Sequence, residues 1–163
     1  MQRLVLVNTS PIQYLYQLGL IDLFESLYGK IRVPQEVVKE IHQGKIEGVD
    51  LPAIDNLNFV EVLKEKSPSS KRLVRDPGEG ETAILLNGLE NPGSLVVLDD
   101  FLAGKVATEL ELNLTGTAGI LIAAKLQGLL HSVGPCLDRL RQLGFYLAPA
   151  HKHYILKRAG EIR

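Results

Sequence analysis

The sequence has little cysteine: Cys136 is the only one among 163 residues. One thiol cannot form an internal disulfide, and no CxxC pair is present, so a disulfide scaffold and a cysteine-rich zinc fold are excluded. Long apolar runs are also missing, because the longest cover about five or six residues, whereas a transmembrane helix needs about 20. At the N-terminus, Asn8 interrupts the apolar run too early for an export signal. We therefore expect a cytoplasmic protein with no membrane contact.

Neither sign of charge is in excess. The chain has 18 lysine and arginine residues against 19 aspartate and glutamate residues, so any nucleic-acid partner has to bind a local patch. The apolar fraction of 45% and the charged fraction of 23% are ordinary for globular proteins and argue against a disordered chain. Together with the length, these values predict a single folded domain over residues 1–163.

Short apolar runs alternate with helical patterns along the chain. Runs without a helical period predict strands, and apolar residues spaced by three or four predict helices. The predicted strands cover 4–8, 30–33, 59–63, 95–98 and 112–114, and the predicted helices cover 11–19, 20–27, 79–89, 101–110, 115–128, 135–143 and 148–158, with one more that opens at Pro34. The pattern is weak over 44–58, and 64–77 is typical of an exposed loop. This alternation favours a parallel sheet with helices on both faces.

Polar side chains follow two of the most apolar predicted strands. Asn8 ends the first strand, and Asp99 and Asp100 end the strand at 95–98. Ligands of parallel sheets gather at the carboxyl ends of the strands, so these three side chains are the best site candidates. Acidic side chains on nearby helices could complete the cluster: Glu40, Glu79 and Glu81. A cluster of oxygen ligands without histidine or cysteine suits Mg²⁺ or Mn²⁺.

The acidic residues on the helices also fit a purely structural role. Aspartate and glutamate at helix N-termini commonly cap the helix or interact with its dipole, as Glu79 and Glu81 would. Glu40 is equally typical of a solvated helix face. The adjacent Asp99 and Asp100 are harder to explain in this way, because one of the two should point into the crevice at the carboxyl edge.

Five motifs, spaced in order along almost the whole chain, carry a resemblance to a known family: LVLVNTSP, VPQEVVKEI, DPGEGETAI, VVLDD and LTGTAGILIAAKLQGLL. They resemble the PIN-domain proteins, and most closely the VapC-related branch. The resemblance implies a three-layer α/β/α sandwich with a mostly parallel central sheet. It also implies an endoribonuclease that depends on Mg²⁺ or Mn²⁺, often the toxin of a toxin–antitoxin pair. Further implications are a homodimer, RNA as the substrate and an antitoxin protein bound near the acidic residues.

The resemblance can be carried over residue by residue. It implies a catalytic set at four positions: Asn8, Glu40, Glu81 and Asp99. The metal ligands that it implies are the first, third and fourth of these, which are Asn8, Glu81 and Asp99. Glu79 stays open as the alternative third acid. Asp100 stands beside the fourth acid, and Ser10 matches a small hydroxyl near the first position.

The sequence departs from the family pattern at two places. The first acid of the family is here the neutral Asn8, which brings a dipole rather than a charge to a metal. An arginine that is usual a few residues after the aspartate pair is replaced by Gly104, with Lys105 beside it. Two hypotheses follow: an active ribonuclease, or a degenerate member that binds RNA or a protein partner without cleaving.

Two further segments are candidates for contact with nucleic acid. The backbone amides at 116–119 and the Thr117 hydroxyl would suit a phosphate, although Gly116 is also typical of a tight turn. Basic residues near the C-terminus, interleaved with Tyr154, would follow an RNA backbone or simply form a solvated helix face. The predicted nucleic-acid contacts are Lys105, Lys152, Lys157 and Arg158.

Overall fold

A parallel five-stranded sheet forms the centre of the protein in the computed structural model, which describes residues 3–65 and 78–163. The strands are short: β1 (Val5–Val7), β2 (Ile31–Val33), β3 (Val60–Val62), β4 (Leu95–Val97) and β5 (Asn113–Thr115). Their order is β3-β2-β1-β4-β5, so the direction of strand addition reverses between β1 and β4. In open parallel sheets such a reversal leaves a crevice for ligands at the carboxyl ends of the strands.

The two strands beside this reversal owe their central position to their side chains. Every residue of β1 and β4 is buried, whereas β3 and β5 at the edges keep partly or fully exposed residues. Continuous apolar segments such as VLV and LVV fit a strand that is covered on both faces. Val7 pairs with Val97, which brings the ends of β1 and β4 level. The residues that follow these strands therefore emerge at the same edge.

Helices cover both faces of the sheet: α1 (Thr9–Gln17), α2 (Leu23–Tyr28), α3 (Gln35–Ile46), α4 (Glu79–Glu90), α5 (Phe101–Glu109), α6 (Thr117–Leu126), α7 (Gly134–Gln142) and α8 (Pro149–Arg158). The chain adds strands outward from β1 to β3, then returns and continues from β4 to β5. Right-handed crossovers therefore place the two groups of connecting helices on opposite faces. Accordingly, α1 and α2 pack on α6, whereas α4 contacts β1, β4 and α5. The predicted α/β/α sandwich is confirmed.

The helix α3 differs most from its prediction. It continues through Gly44 to Ile46, into a region that the sequence pattern leaves irregular. A Cβ on Gly44 would lie 2.6 Å from Leu51 Cδ1, so the glycine leaves room for the chain that returns along the helix. Close packing of this kind overrides the weak helix propensity of glycine.

Other boundaries shift by a few residues. The prediction of a helix from 115 onward is wrong at its start, because Asn113–Thr115 pairs with β4 as a strand and α6 begins two residues later. The helix predicted at 20–27 is found at Leu23–Tyr28, and a short 3₁₀ helix at Ile54–Asn56 was missed. Of the predicted loop at 64–77, residues 66–77 lie outside the described part of the chain. Within the described part, no helix is both long and apolar enough to span a bilayer.

Candidate active site

A cleft at the carboxyl edge of the sheet collects several of the predicted residues. It has a volume of about 310 Å³ and includes side chains that follow β1 and β4 and that belong to the first turn of α4. The predicted site residues that line it are Asn8, Ser10, Glu81, Asp99 and Asp100. The parallel sheet thus brings together side chains that are far apart in the sequence.

Asp99 is the most firmly held side chain of the cleft. The Thr117 amide donates to Oδ1 at 2.8 Å, and the hydroxyls of Thr117 and Ser10 donate to Oδ2 at 2.7 Å and 3.0 Å. Burial raises the pKa of Asp99, and these hydrogen bonds offset part of the rise because they stabilise the ionised form. A carboxylate has about four acceptor positions, so about one remains for a further ligand.

Gly116 makes this close packing feasible. A Cβ on Gly116 would lie 2.7 Å from Asp99 Oδ1 and 3.2 Å from the Leu98 carbonyl oxygen. The backbone of Gly116 is extended, with φ −138°, so the glycine provides room rather than a left-handed turn. Thr117 is fully buried, with its amide and hydroxyl both directed at Asp99. The Thr117 amide and hydroxyl therefore position a carboxylate, and the interpretation of 116–119 as a phosphate cradle stays a prediction.

Asn8 occupies the corresponding place at the end of β1. Its side chain is 2% exposed, and Oδ1 accepts no hydrogen bond from any residue that the structure describes. The side chain of Asn8 hydrogen bonds to the Glu81 carboxylate. Nδ2 must be the donor in this bond, because a carboxylate only accepts. A buried amide oxygen without a donor costs about 1–3 kcal/mol, so this oxygen is a candidate acceptor for an ordered water or a candidate ligand for a cation.

Glu81 stands beside Asn8 in the first turn of α4. Burial raises the pKa of Glu81, and the negative charges of Glu40 and Asp100 raise it further, against the opposing effect of hydrogen bonds from its own backbone and from Asn8. The site therefore concentrates negative charge around a partly buried carboxylate. A bound cation would relieve this repulsion.

Glu40 is placed behind the cleft and does not line it. Its Oε2 accepts from the Thr9 hydroxyl at 2.5 Å, and its Oε1 accepts from the Gly80 amide at 3.0 Å. A Cβ on Gly80 would lie 2.5 Å from Oε1, so the glycine is required for this approach. Glu40 thus joins α3 to the starts of α1 and α4, and its predicted catalytic role stays a prediction.

The structure distinguishes the two members of each acidic pair, Glu79 from Glu81 and Asp99 from Asp100. Glu79 is exposed and does not line the cleft, whereas Glu81 lines it, which favours Glu81 as the third acid. Asp100 lies at the exposed side of the cleft and caps α5, because its Oδ1 accepts from the Ala103 amide at 2.7 Å. Asp99 is thus the member of its pair that points inward.

The predicted basic contacts lie away from the residues that line the cleft. Lys105 and Lys157 are exposed, and Lys152 Nζ pairs with Asp138 at 2.9 Å. Arg158 donates to the Tyr154 hydroxyl at 2.9 Å, and its guanidinium lies 5.7 Å from the centre of that ring. A role of these four residues in binding RNA stays a prediction.

An aromatic wall completes the cleft, and the sequence analysis missed it. It consists of Tyr14 and of Phe145 and Tyr146, which follow Gly144 between α7 and α8. The Tyr14 and Phe145 rings meet edge to face, with centres 4.9 Å apart and planes at 89°. Burial raises the pKa of Tyr14, and the charge of Asp99 adds to the rise. The two consecutive aromatics after a glycine were the available signal, but no local pattern connects them to the strand ends.

The donor set of the cleft fits a small, hard cation. Asn8, Glu81 and Asp99 line the same space, and the Asn8 oxygen is buried there without a partner among the described residues. Amide and carboxylate oxygens are ligands that Mg²⁺ and Mn²⁺ prefer. Across residues 3–65 and 78–163, no group of three or more His, Cys, Asp or Glu side chains is close enough together to hold a metal. A cation here would therefore depend on the Asn8 oxygen and on water, and Mg²⁺ usually keeps several waters.

A family model described as a PIN domain matches residues 4–161 of the chain. This range includes the residues that line the cleft and all five strands of the sheet. The description agrees with the resemblance carried by the five sequence motifs. No curated protein and no solved structure gives a significant match.

Proposed function

The chain belongs to the PIN-domain family, and on that basis we propose that it is an endoribonuclease that depends on Mg²⁺ or Mn²⁺. Membership of this family suggests a nuclease-like function. The observation that supports metal dependence is the meeting of Asn8, Glu81 and Asp99 in one cleft, with the Asn8 oxygen buried and unpartnered among the described residues. Hydrolysis of a phosphodiester is a reaction to which oxygen ligands around a divalent cation are suited.

The residues of the cleft have distinct roles in this proposal. Asn8, Glu81 and Asp99 would hold the cation, which when bound supplies charge neutralisation and polarisation at the scissile phosphate. Asp99 is already fixed by Thr117, so it needs little reorganisation when the substrate arrives. Asp100, which is exposed and lines the cleft, would orient the attacking water.

A second candidate function is binding of RNA or of a protein partner without cleavage. The neutral Asn8 favours it, because an amide in place of a carboxylate removes one negative charge from the site. Two unit charges about 4 Å apart interact by about 4 kcal/mol at an effective dielectric constant of 20. Each 1.4 kcal/mol or so of barrier is a factor of about ten in rate. The loss of one charge is therefore large enough to silence an enzyme.

A nuclease assay on the purified protein separates the two candidates. Single-stranded and structured RNA would be incubated with the wild type, Asn8→Asp and Asp99→Asn in Mn²⁺, Mg²⁺ or EDTA. We expect the wild type to cleave only with metal, and Asp99→Asn to lose about 100-fold or more in rate. Cleavage by Asn8→Asp alone would support the second candidate. Cleavage that survives EDTA, or undiminished cleavage by Asp99→Asn, would contradict the proposed site.

The third acid can be tested with a matched pair of substitutions. Glu81→Gln and Glu79→Gln remove the same charge from the same helical turn, but only the first removes a side chain that lines the cleft. We expect a loss of cleavage with Glu81→Gln and nearly full activity with Glu79→Gln. The reverse result would assign the third position to Glu79.

We further propose that the chain belongs to the VapC-related branch and is the toxin of a toxin–antitoxin pair. The five sequence motifs are the support for this part of the proposal. It includes action in the cytoplasm, RNA as the substrate, a homodimer and an antitoxin protein as the partner. Induced expression in a bacterial host should arrest growth, and Asp99→Asn should abolish the arrest. Undisturbed growth during full expression of an active nuclease would argue against the toxin role.

A further inference from the structure

The aromatic wall of the cleft has no role in the hydrolytic site described above. We propose that Tyr146 is a stacking platform for one unpaired nucleobase, so that the cleft accepts single-stranded RNA. The proposal rests on the proposed function, because the phosphate next to that base would lie over Asn8, Glu81 and Asp99. It adds a binding subsite for a base to the proposed hydrolytic site.

Tyr146 is presented to solvent on a fixed support. The residue is 84% exposed although it lines the cleft, so its ring is accessible to a ligand. The neighbouring Phe145 is held by its edge-to-face contact with Tyr14 and by a hydrogen bond from its amide to the Leu140 carbonyl at 2.9 Å. Gly144, with φ +98°, turns the chain out of α7 at this point. The backbone next to the exposed ring is therefore anchored.

The charges of the cleft favour a base over a phosphate at this wall. Glu81, Asp99 and Asp100 line the same cleft, and no lysine or arginine is among the described residues that line the space. A phosphate without a cation would be repelled there. A nucleobase is neutral and planar, and every base has a face that stacks on an aromatic ring.

The size of the cleft favours a single strand. A volume of about 310 Å³ is at the lower end of the range for a small-molecule pocket. An A-form duplex keeps its bases stacked inside the helix, where this ring cannot reach their faces. An unpaired nucleotide can turn its base outward onto Tyr146 while its phosphate faces the acidic residues.

The absence of tryptophan from the sequence provides a direct probe. Tyr146→Trp places the only tryptophan of the chain at the platform, where a stacked base should quench its fluorescence. We would titrate this variant with an eight-nucleotide single-stranded RNA, the same RNA as a duplex, and the same RNA with abasic positions. Titrations in Ca²⁺ and in EDTA, with the RNA checked on a gel, measure binding separately from cleavage. We expect saturable quenching by the single strand and little by the other two.

Affinity measurements on variants give the second readout. Tyr146→Ala should weaken binding of the single strand by about 5- to 100-fold, which is the usual effect of losing one stacked base. Tyr146→Phe should bind within about twofold of the wild type, because the ring is kept. Phe101→Ala is the control, since Phe101 is 83% exposed but lies at the start of α5 and does not line the cleft. Surface substitutions of this kind rarely change stability by more than about 0.5 kcal/mol.

The results distinguish the platform from the nuclease proposal. If the single strand quenches Tyr146→Trp but no condition gives cleavage, the nuclease proposal fails and the platform stands. If the protein cleaves RNA and Tyr146→Ala keeps the wild-type affinity and KM, the platform is overturned and the nuclease stands. Equal quenching by abasic RNA, or equal losses with Tyr146→Ala and Phe101→Ala, would also overturn it. Quenching by an arginine-rich peptide but not by RNA would assign the wall to a protein partner instead.

Discussion

The ends of β1 and β4 lie side by side, yet their polar residues are held very differently. Asp99, after β4, accepts three hydrogen bonds from Thr117 and Ser10. Asn8, after β1, is 2% exposed, and its Oδ1 accepts none from the described residues. One sheet edge therefore contains a carboxylate that already accepts three hydrogen bonds and an amide oxygen that accepts none from the described residues.

Asp99 and Asn8 are hydrogen bonded differently because one side chain carries a charge and the other is neutral. A buried carboxylate has to be stabilised by donors or by a cation, because burial disfavours its ionised form. A buried amide loses less, and its cost is reduced here because Asn8 donates from Nδ2 to Glu81. Asn8 therefore stabilises the carboxylate of Glu81 while its buried oxygen accepts no hydrogen bond from the described residues. A second carboxylate at this place would remove that donor and bring two like charges together.

Asn8→Asp places a carboxylate after β1 as well as after β4. Of the substitutions considered, we expect it to have the largest effect. The added charge should raise the affinity for Mn²⁺ by about 10- to 100-fold, measured by isothermal titration calorimetry. In EDTA the same variant should unfold at a lower temperature than the wild type, because the new carboxylate faces Glu81 without a donor. Mn²⁺ should restore the melting temperature.

Asn58→Asp is the matched control for this prediction. It makes the same change of charge at an exposed position outside the cleft. We expect it to leave the Mn²⁺ affinity within about twofold, since exposed charges at a distance are screened by solvent. Equal metal affinities for the wild type and Asn8→Asp would show that the Asn8 position is not a ligand.

Gly116→Ala should disturb the position of Asp99, the hydrogen-bonded side chain that follows β4. The added methyl group would lie 2.7 Å from Asp99 Oδ1, so either the carboxylate or the start of α6 has to move. A displacement of the order of 1 Å in a catalytic group costs up to about 100-fold in rate. Part of the clash can be relieved by relaxation, so we expect about a tenfold loss of RNA cleavage. Steady-state assays in Mn²⁺ measure this loss.

Gly104→Ala provides the control because a Cβ there makes only an ordinary contact, 3.6 Å from Leu114 Cδ2. This glycine lies inside α5, so alanine should stabilise the protein by about 0.5–1 kcal/mol and leave cleavage nearly unchanged. If Gly116→Ala were as active as Gly104→Ala, the tight packing against Asp99 would have no functional role.

The part of this site that lies on the strands could be predicted because its pattern is local. The segments VLV and LVV are apolar throughout, and the residues that follow them are polar. Since parallel strands end at one edge, Asn8 and Asp99 were expected to meet there, and the structure places both in the same cleft. The choice of Glu81 over Glu79 could not be made, because both occupy the first turn of one helix and only packing separates them.

The aromatic wall and the support of Asp99 could not be predicted for a different reason. Phe145 reaches Tyr14 only after the whole sheet is assembled, so the contact leaves no periodic trace in the sequence. In the same way, Gly116 was interpreted as a turn residue because glycine has several uses. Its close approach to Asp99 becomes visible only when β4 and β5 pair.

The smallest predicted effect concerns Glu81, the carboxylate between the two strand ends. Its pKa is raised in the folded protein, so folding favours its protonated form and the cost of its charge appears as the pH rises. Below the ordinary carboxyl pKa both folded and unfolded chains are protonated and there is no cost. Above the raised pKa the full cost is present, and Glu81→Gln should then be slightly more stable in EDTA, by less than about 1 kcal/mol because solvent screens a half-buried carboxylate.

Melting curves of Glu81→Gln and Glu79→Gln between pH 4 and 8 would measure this effect in EDTA. Both variants lose the same favourable interaction with the start of α4, so their difference reports the net effect of burial, repulsion and hydrogen bonds on the charge of Glu81. The advantage of Glu81→Gln over Glu79→Gln should grow as the pH rises through the raised pKa and then level off. A difference that stays constant over this range would mean that the negative charge around Glu81 does not destabilise the folded protein. The strand end at Asn8 would then be open without electrostatic cost, and a cation would not be needed to balance it.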